Sequence, residues 1–228
     1  MKKRQFTRSD KKAKIRKAII QAAADLFEKQ GFENTSVDEI AAEAEISRST
    51  FYRYFPTKEQ AAFPYHEEYV ARFRKLLAEN GDAGSPLSTV RRAFLAMAKL
   101  YMAARDEHRR YQRIISASPT LIARSVTLDL EWQSLIAVAW SKHLEKAPDA
   151  HQQAGMAAGA IMGVVNFTMS LWHDGGCRQD LSTFSEPAFE LLRNGLDKET
   201  KQKPIEARAV SSKQKSAQPP HRNKGRGK

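Results

Sequence analysis

Residues 35–59 read TSVDEIAAEAEISRSTFYRYFPTKE, and the punctuation of this stretch decides the fold of the N-terminal region. Ser36 and Glu39 stand three apart ahead of an apolar pattern, the spacing of a capping box, and Ile40, Ala41 and Ala44 follow on one helical face. Ser47 opens another short helix that runs through Phe55, and only Ala44-Glu45-Ile46 separates the two. Pro56 stops that helix, and Thr57 before Lys58-Glu59-Gln60 reads as the cap of a fourth helix reaching about Asn80. Upstream, Ile15, Ala18, Ile19, Ala22, Ala23, Leu26 and Phe27 recur at helical spacing, so an amphipathic helix starts near Ser9-Asp10. Gly31 ends it by supplying the left-handed position that side chains resist. Three short helices with a tight turn between the last two form a helix-turn-helix.

The two faces of the third helix divide the work. Ile46, Phe51 and Phe55 are spaced to pack on the first helix and on Ile40 and Ala41, and Phe27 and Phe32 join them in a core. The opposite face presents Arg48, Ser49, Tyr52 and Arg53. Such a face suits a major groove, where an arginine near the helix N-terminus reaches guanine O6 and N7. A tyrosine hydroxyl or an ammonium suits phosphate oxygens instead.

Charge supports a polyanionic partner. The 228-residue chain carries a formal +12, and its two ends hold all of the excess. Residues 1–17 sum to +8, residues 201–228 sum to +8, and the 183 residues between them sum to −4. A mildly acidic body with cationic ends implies a folded domain with basic arms. Lys11, Lys12, Lys14, Arg16 and Lys17 are read as backbone or minor-groove contacts beside the helix-turn-helix.

Beyond the breaker cluster Gly81–Pro86, periodicity predicts helices at about 87–106, 108–117, 120–146, 149–173 and 184–198. The fold class is all-α. Residues 154–172 hold no charge and match the length of a spanning helix, but Ala, Gly and Met dominate them. They are read as a buried bundle helix, and no membrane partner is expected. No apolar stretch follows Met1-Lys2-Lys3-Arg4, so the expected location is cytoplasmic, nucleoid-associated in a bacterium. The single cysteine, Cys177, excludes a disulfide framework. No Gly-rich phosphate loop, His-Glu-x-x-His or nucleophile elbow occurs, so neither enzymatic activity nor a cofactor or metal is expected.

The N-terminal stretch resembles the TetR-type bacterial transcriptional regulators. The resemblance rests on Ala22-Ala23, Leu26-Phe27, Gly31-Phe32, Thr35-Ser36-Val37, Ile40-Ala41, Ala44, Ile46-Ser47, the run Thr50–Phe55, and Lys58-Glu59. It implies an N-terminal helix-turn-helix domain followed by a helical ligand-binding and dimerisation domain. It further implies that the hydroxyls opening the second helix (Thr35, Ser36), Tyr52 and Lys58 touch phosphates. Arg48, Ser49, Thr50 and Tyr54 then lie at or beside the bases, with Ser47 and Arg53 on the same surface; Tyr54 reads equally well as a packing residue. Glu45 departs from the pattern, which often has glycine there. A left-handed backbone at that position costs a side chain about 1–2 kcal/mol.

The resulting division is a basic arm at 1–11, the helix-turn-helix at 12–60, a ligand and dimerisation domain at 61–200, and a disordered basic tail at 201–228. Gly155, Gly159 and Gly163 recur every four residues and, with Phe189, Leu192 and Leu196 of the last helix, form the expected homodimer interface. Close packing within one subunit is the other reading of those glycines. An apolar effector pocket is expected among Met97, Tyr101, Trp132, Trp140, Met162 and Trp172, with Asn166 as its polar group. Arg105 is the candidate partner of an anionic headgroup, with Arg109, Arg110 and Arg113 nearby in sequence. The expected function is a dimeric repressor of a palindromic double-stranded operator, released by a small apolar ligand such as a fatty acid or acyl-CoA. The rival is a nucleic-acid compacting or RNA-binding module driven by the basic ends.

Overall fold

The computed structural model describes residues 7–79, 84–144 and 148–195. The proposed tail, most of the basic arm, Gly81–Ala83 of the breaker cluster and Leu196 lie outside these. Among the described residues the chain forms ten α-helices and no strand. The helices are α1 (Arg8–Gln30), α2 (Val37–Glu43), α3 (Arg48–Tyr54), α4 (Lys58–Ala62), α5 (His66–Glu79), α6 (Pro86–Ala103), α7 (Arg105–Ser116), α8 (Pro119–Ser141), α9 (Ala150–Asp174) and α10 (Leu181–Asn194).

Side-chain caps set most of the starts. Ser36 and Glu39 form the predicted reciprocal box at α2, and Thr7 and Asp10 form a second one at α1. Ser47, Thr57, Ser85, Ser118 and Asp180 each accept a backbone N–H at the start of their own helices. Caps of this kind contribute about 1 kcal/mol each. The single helix expected from Thr57 to Asn80 is two helices, because Pro64 has no N–H to donate and its ring clashes with the preceding turn. The last helix starts three residues earlier than expected, at Leu181, where Asp180 supplies the cap.

Three cores follow. The first joins Ile19, Ala23, Phe27, Phe32, Ile40, Phe51 and Phe55 of the N-terminal head to Tyr111 and Ile114 of α7 and Leu121 of α8. The head therefore shares its core with α7 and α8 and does not close at residue 60. The second core packs Phe73, Val90, Met97, Ile136, Ile161 and Met162 from α5, α6, α8 and α9. The third gathers Ala98, Trp172, Cys177 and Leu181 around the start of α10. Asp129 meets Asn166 and Gln133 faces Gly159, so α8 and α9 run antiparallel along each other.

Candidate DNA-reading surface and effector cavity

The exposed face of α3 carries Arg48, Ser49, Tyr52 and Arg53, with Ser47 and Ser36 beside them at the two helix starts. Phe51 on the reverse face is fully buried and holds the helix against the head. The Ser47 hydroxyl lies 2.9 Å from both the Ser49 and the Thr50 hydroxyls, so the helix start is a small hydroxyl cluster. Tyr54 is half-buried against the first core, which favours packing over base contact.

Two expected contacts take other roles. Thr35 is 2% exposed and its hydroxyl donates to the Gly31 carbonyl at 2.7 Å, so it closes the α1–α2 loop and faces no phosphate. The Lys58 ammonium donates to the Phe32 and Thr35 carbonyls at 2.7 and 2.8 Å and sits 4.1 Å from the Phe32 ring centroid. Two of its three N–H groups are thus spent inside the protein. Arg16 also turns inward, donating to the Pro64 carbonyl and lying over the Phe55 and Tyr65 rings. Lys11, Lys12, Lys14 and Lys17 stay exposed on α1 itself.

Glu45 has φ 54°, the left-handed backbone that its turn requires. Glu45→Gly is expected to raise stability by about 1 kcal/mol by removing that strain. It should also tighten binding to any duplex, because a carboxylate leaves the neighbourhood of the phosphates. Denaturant melts and gel-shift titrations on unrelated duplexes measure the two effects separately.

Behind the head, a cavity of about 220 Å³ lies between α6, α8, α9 and α10. Met97, Tyr101, Trp132, Met162 and Asn166 line it, as expected from sequence, and so do Phe94, Asp129, Met169, Phe189 and Leu192. Three expected residues lie elsewhere. Trp172 is buried in the third core with its indole N–H on the Gln179 carbonyl at 2.9 Å. Trp140 packs on the second core, and Arg105 is exposed, 3.8 Å from Asp106. Asp129, which periodicity alone did not single out, accepts from the Asn166 amide at 2.9 Å. Burial raises its carboxyl above the ordinary range, and the Asn166 hydrogen bond opposes that rise.

A chain of contacts runs from this cavity to the head. The Tyr101 ring meets the His108 ring edge-on at 4.2 Å, and His108 shares a 3.0 Å hydrogen bond with the Tyr69 hydroxyl. Burial pushes the His108 imidazole down to about 4, so it is neutral near pH 7. Two and five residues farther along α7, Arg110 and Arg113 bond to α1: Arg110 to Asp25 and, at 2.8 Å, to Glu28, and Arg113 to Glu28 at 3.0 Å. These two arginines are therefore inter-helix ties and not headgroup ligands.

Comparison with known proteins bears on both surfaces. Residues 19–60 match the family model described as bacterial regulatory proteins, tetR family. Residues 84–197, half of the chain, match the model of the MftR C-terminal domain. The chain belongs to the TetR family. It is 29% identical over 185 residues to the putative mycofactocin biosynthesis transcriptional regulator MftR of Mycobacterium tuberculosis, covering 79% of this chain and 90% of that one. Thermus thermophilus FadR, solved in complex with lauroyl-CoA, superposes with a TM-score of 0.53 at 22% identity, covering 83% of this chain and 97% of that one. Bacillus subtilis FadR, solved in complex with stearoyl-CoA, gives 0.52 at 19% identity over 77% and 96%. The protein is a DNA-binding transcriptional regulator with a helix-turn-helix. The rival compacting reading rests on the charge of residues 1–17 and 201–228, of which residues 1–6 and 201–228 lie outside the described residues.

This TetR-family chain has a second surface that its sequence located only in part. Ile122, Val126, Leu130 and Val138 of α8 and Met156, Phe167 and Leu171 of α9 are exposed, with Phe167 at 67%. α9 is long and apolar enough to cross a membrane by length and composition alone. The expected burial of residues 154–172 holds for one face only, because the other points away from the bundle. Of the expected interface residues, Gly155 and Gly163 face open space, whereas Gly159 faces Gln133 of the same chain. Phe189 is buried and Leu192 packs inward, both on the cavity wall. α10 turns its apolar stripe toward α6 and α9 and leaves Thr183, Glu190 and Arg193 outside. Cys177 is buried, and burial raises its thiol pKa, which suits a packing residue better than a redox sensor.

Proposed function

We propose that this regulator is a repressor that binds a palindromic operator as a homodimer and is released by an apolar effector, an acyl thioester, held in the α6–α8–α9–α10 cavity. The observation that carries the reading is that one cavity wall residue, Tyr101, rests on the helix that is ion-paired to the head. A ligand that fills the cavity displaces Tyr101 and His108, shifts α7, and re-aims α1 with α3 behind it. Release follows only if the two arrangements differ in affinity for both ligand and DNA. The outer faces of α8 and α9 pair with those of a second copy, giving each half-site one head. A chromosomal operator places this work in the bacterial cytoplasm.

The choice of a thioester over a free acid comes from Asp129. A fatty-acid carboxylate entering the cavity meets an acidic side chain, and among the described residues its lining includes no Lys, Arg or His. A thioester brings the same chain without that charge and leaves the nucleotide in solvent. Each buried methylene contributes about 0.8 kcal/mol, so affinity should climb steeply with chain length until the cavity fills. The cavity is smaller than the roughly 300–1,000 Å³ of sites that enclose drug-sized ligands, so the climb should level off early unless the walls give.

Acyl-CoAs and free acids of rising length, titrated against Trp132 fluorescence and against release of promoter DNA, test this. Thioesters should bind more tightly than the acids, and Asp129→Asn should narrow the gap. Linkage requires DNA to weaken ligand binding by the same factor that ligand weakens DNA binding. Equal binding at all lengths, or binding that leaves DNA affinity unchanged, rejects the acyl effector.

A further inference from the structure

On the DNA-reading surface, the Arg48 guanidinium is held from two sides. Nη1 donates to the Asp38 carboxylate of α2 at 2.9 Å, and the carbon of the guanidinium lies 5.7 Å from the Tyr52 ring centroid. The neighbouring acid Glu39 is committed to the Ser36 capping box, whereas Asp38 reaches across the helix-turn-helix to α3. We propose that Asp38 is a positioning residue that fixes Arg48 for base reading and so sets the sequence preference of the half-site. This rests on reading Arg48 as a base contact.

Stability does not account for the pair. The side chains are 61% and 64% exposed, and ion pairs of that exposure add little to folding. Its effect is on conformation. An arginine side chain loses substantial rotamer freedom when it binds, and a guanidinium already held between a carboxylate and an aromatic face has lost much of it beforehand. The donor count allows both jobs at once. A guanidinium has five N–H groups, Asp38 takes one of them on Nη1, and a bidentate contact to guanine O6 and N7 needs two more. The carboxylate also repels phosphates, so it weakens contact with every duplex. Its net effect is to convert general affinity into discrimination, an effect that α1 with its exposed lysines cannot supply.

The test is selection from a library of random DNA duplexes with the full-length protein, comparing wild type, Arg48→Ala, Asp38→Asn and Asp38→Glu. The wild-type pool should hold inverted half-sites. Arg48→Ala should flatten one position in each, and Asp38→Asn should flatten the same position by about tenfold, the range of a bidentate contact. Binding of Asp38→Asn to a scrambled duplex should be unchanged or tighter, and Asp38→Glu should keep part of the preference. If Asp38→Asn retains the preference that Arg48→Ala loses, the positioning role is wrong while base reading stands. If Arg48→Ala leaves the pool unaltered, base reading by Arg48 and the role of Asp38 both fall. Uniform loss at all positions with a lowered melting temperature makes Asp38 structural and overturns the proposal too.

Discussion

Phe167→Arg is expected to give a folded monomer that binds promoter DNA at least about 100-fold more weakly than wild type. Phe167 is 67% exposed in one chain and continues the apolar stripe of Met156 and Leu171, and Val126 and Leu130 are exposed on α8. Burying one such side chain contributes about 1.5–3 kcal/mol, and two-fold symmetry counts it twice. An arginine there loses both contributions and adds two unpaired charges, whose burial costs several kcal/mol each. The pair of heads then no longer engages both half-sites as one unit. Sedimentation with circular dichroism reads the first part and gel-shift titration the second. Glu190→Arg, on the polar side of α10, is the control and should remain dimeric. If Phe167→Arg keeps the mass of a dimer and Glu190→Arg does not, the interface runs through α10, as the apolar stripe of the last helix first implied.

The difference between those two interfaces shows what the sequence could and could not reveal. The Ser36–Glu39 box and the helical spacing between Ser9 and Lys58 are local, so α1, α2 and α3 and the exposed positions Arg48, Ser49, Tyr52 and Arg53 were legible almost residue by residue, although the Thr7–Asp10 box was not read. The α10 stripe was legible as a stripe, but periodicity does not say which partner it meets. Phe189 and Leu192 face inward because α6 and α9 leave a cavity there, a fact fixed by tertiary packing. Asp129 was missed for a related reason: on α8 it reads as an ordinary exposed acid, and only Asn166, thirty-seven positions on, shows that it lines the cavity. Thr35, too, has the composition of a phosphate contact, and only its bond to Gly31 shows otherwise.

Lys58 poses the same question with a larger energy attached. Lys58→Ala should lower stability by about 2–4 kcal/mol, since hydrogen bonds to a charged donor contribute about 1.5–3 kcal/mol each and two are lost. The Phe32 carbonyl keeps the Thr35 N–H at 3.2 Å, which limits the damage on that side. The Thr35 carbonyl loses its charged donor, and the Phe32 ring loses the ammonium on its face. For a chain of this size the expected fall in melting temperature is about 5–15 °C. Lys58→Arg should recover little of it, because a planar guanidinium does not fit where a compact ammonium bridges two carbonyls. At temperatures well below the transition, the salt dependence of DNA binding should match wild type, since the ammonium is directed into the α1–α2 loop. A phosphate contact predicts the reverse pattern: an unchanged melt, and a log–log salt slope reduced by about 0.9. Melting curves and salt titrations on the same preparation separate the two, and a normal melt with a reduced slope would return Lys58 to the DNA backbone.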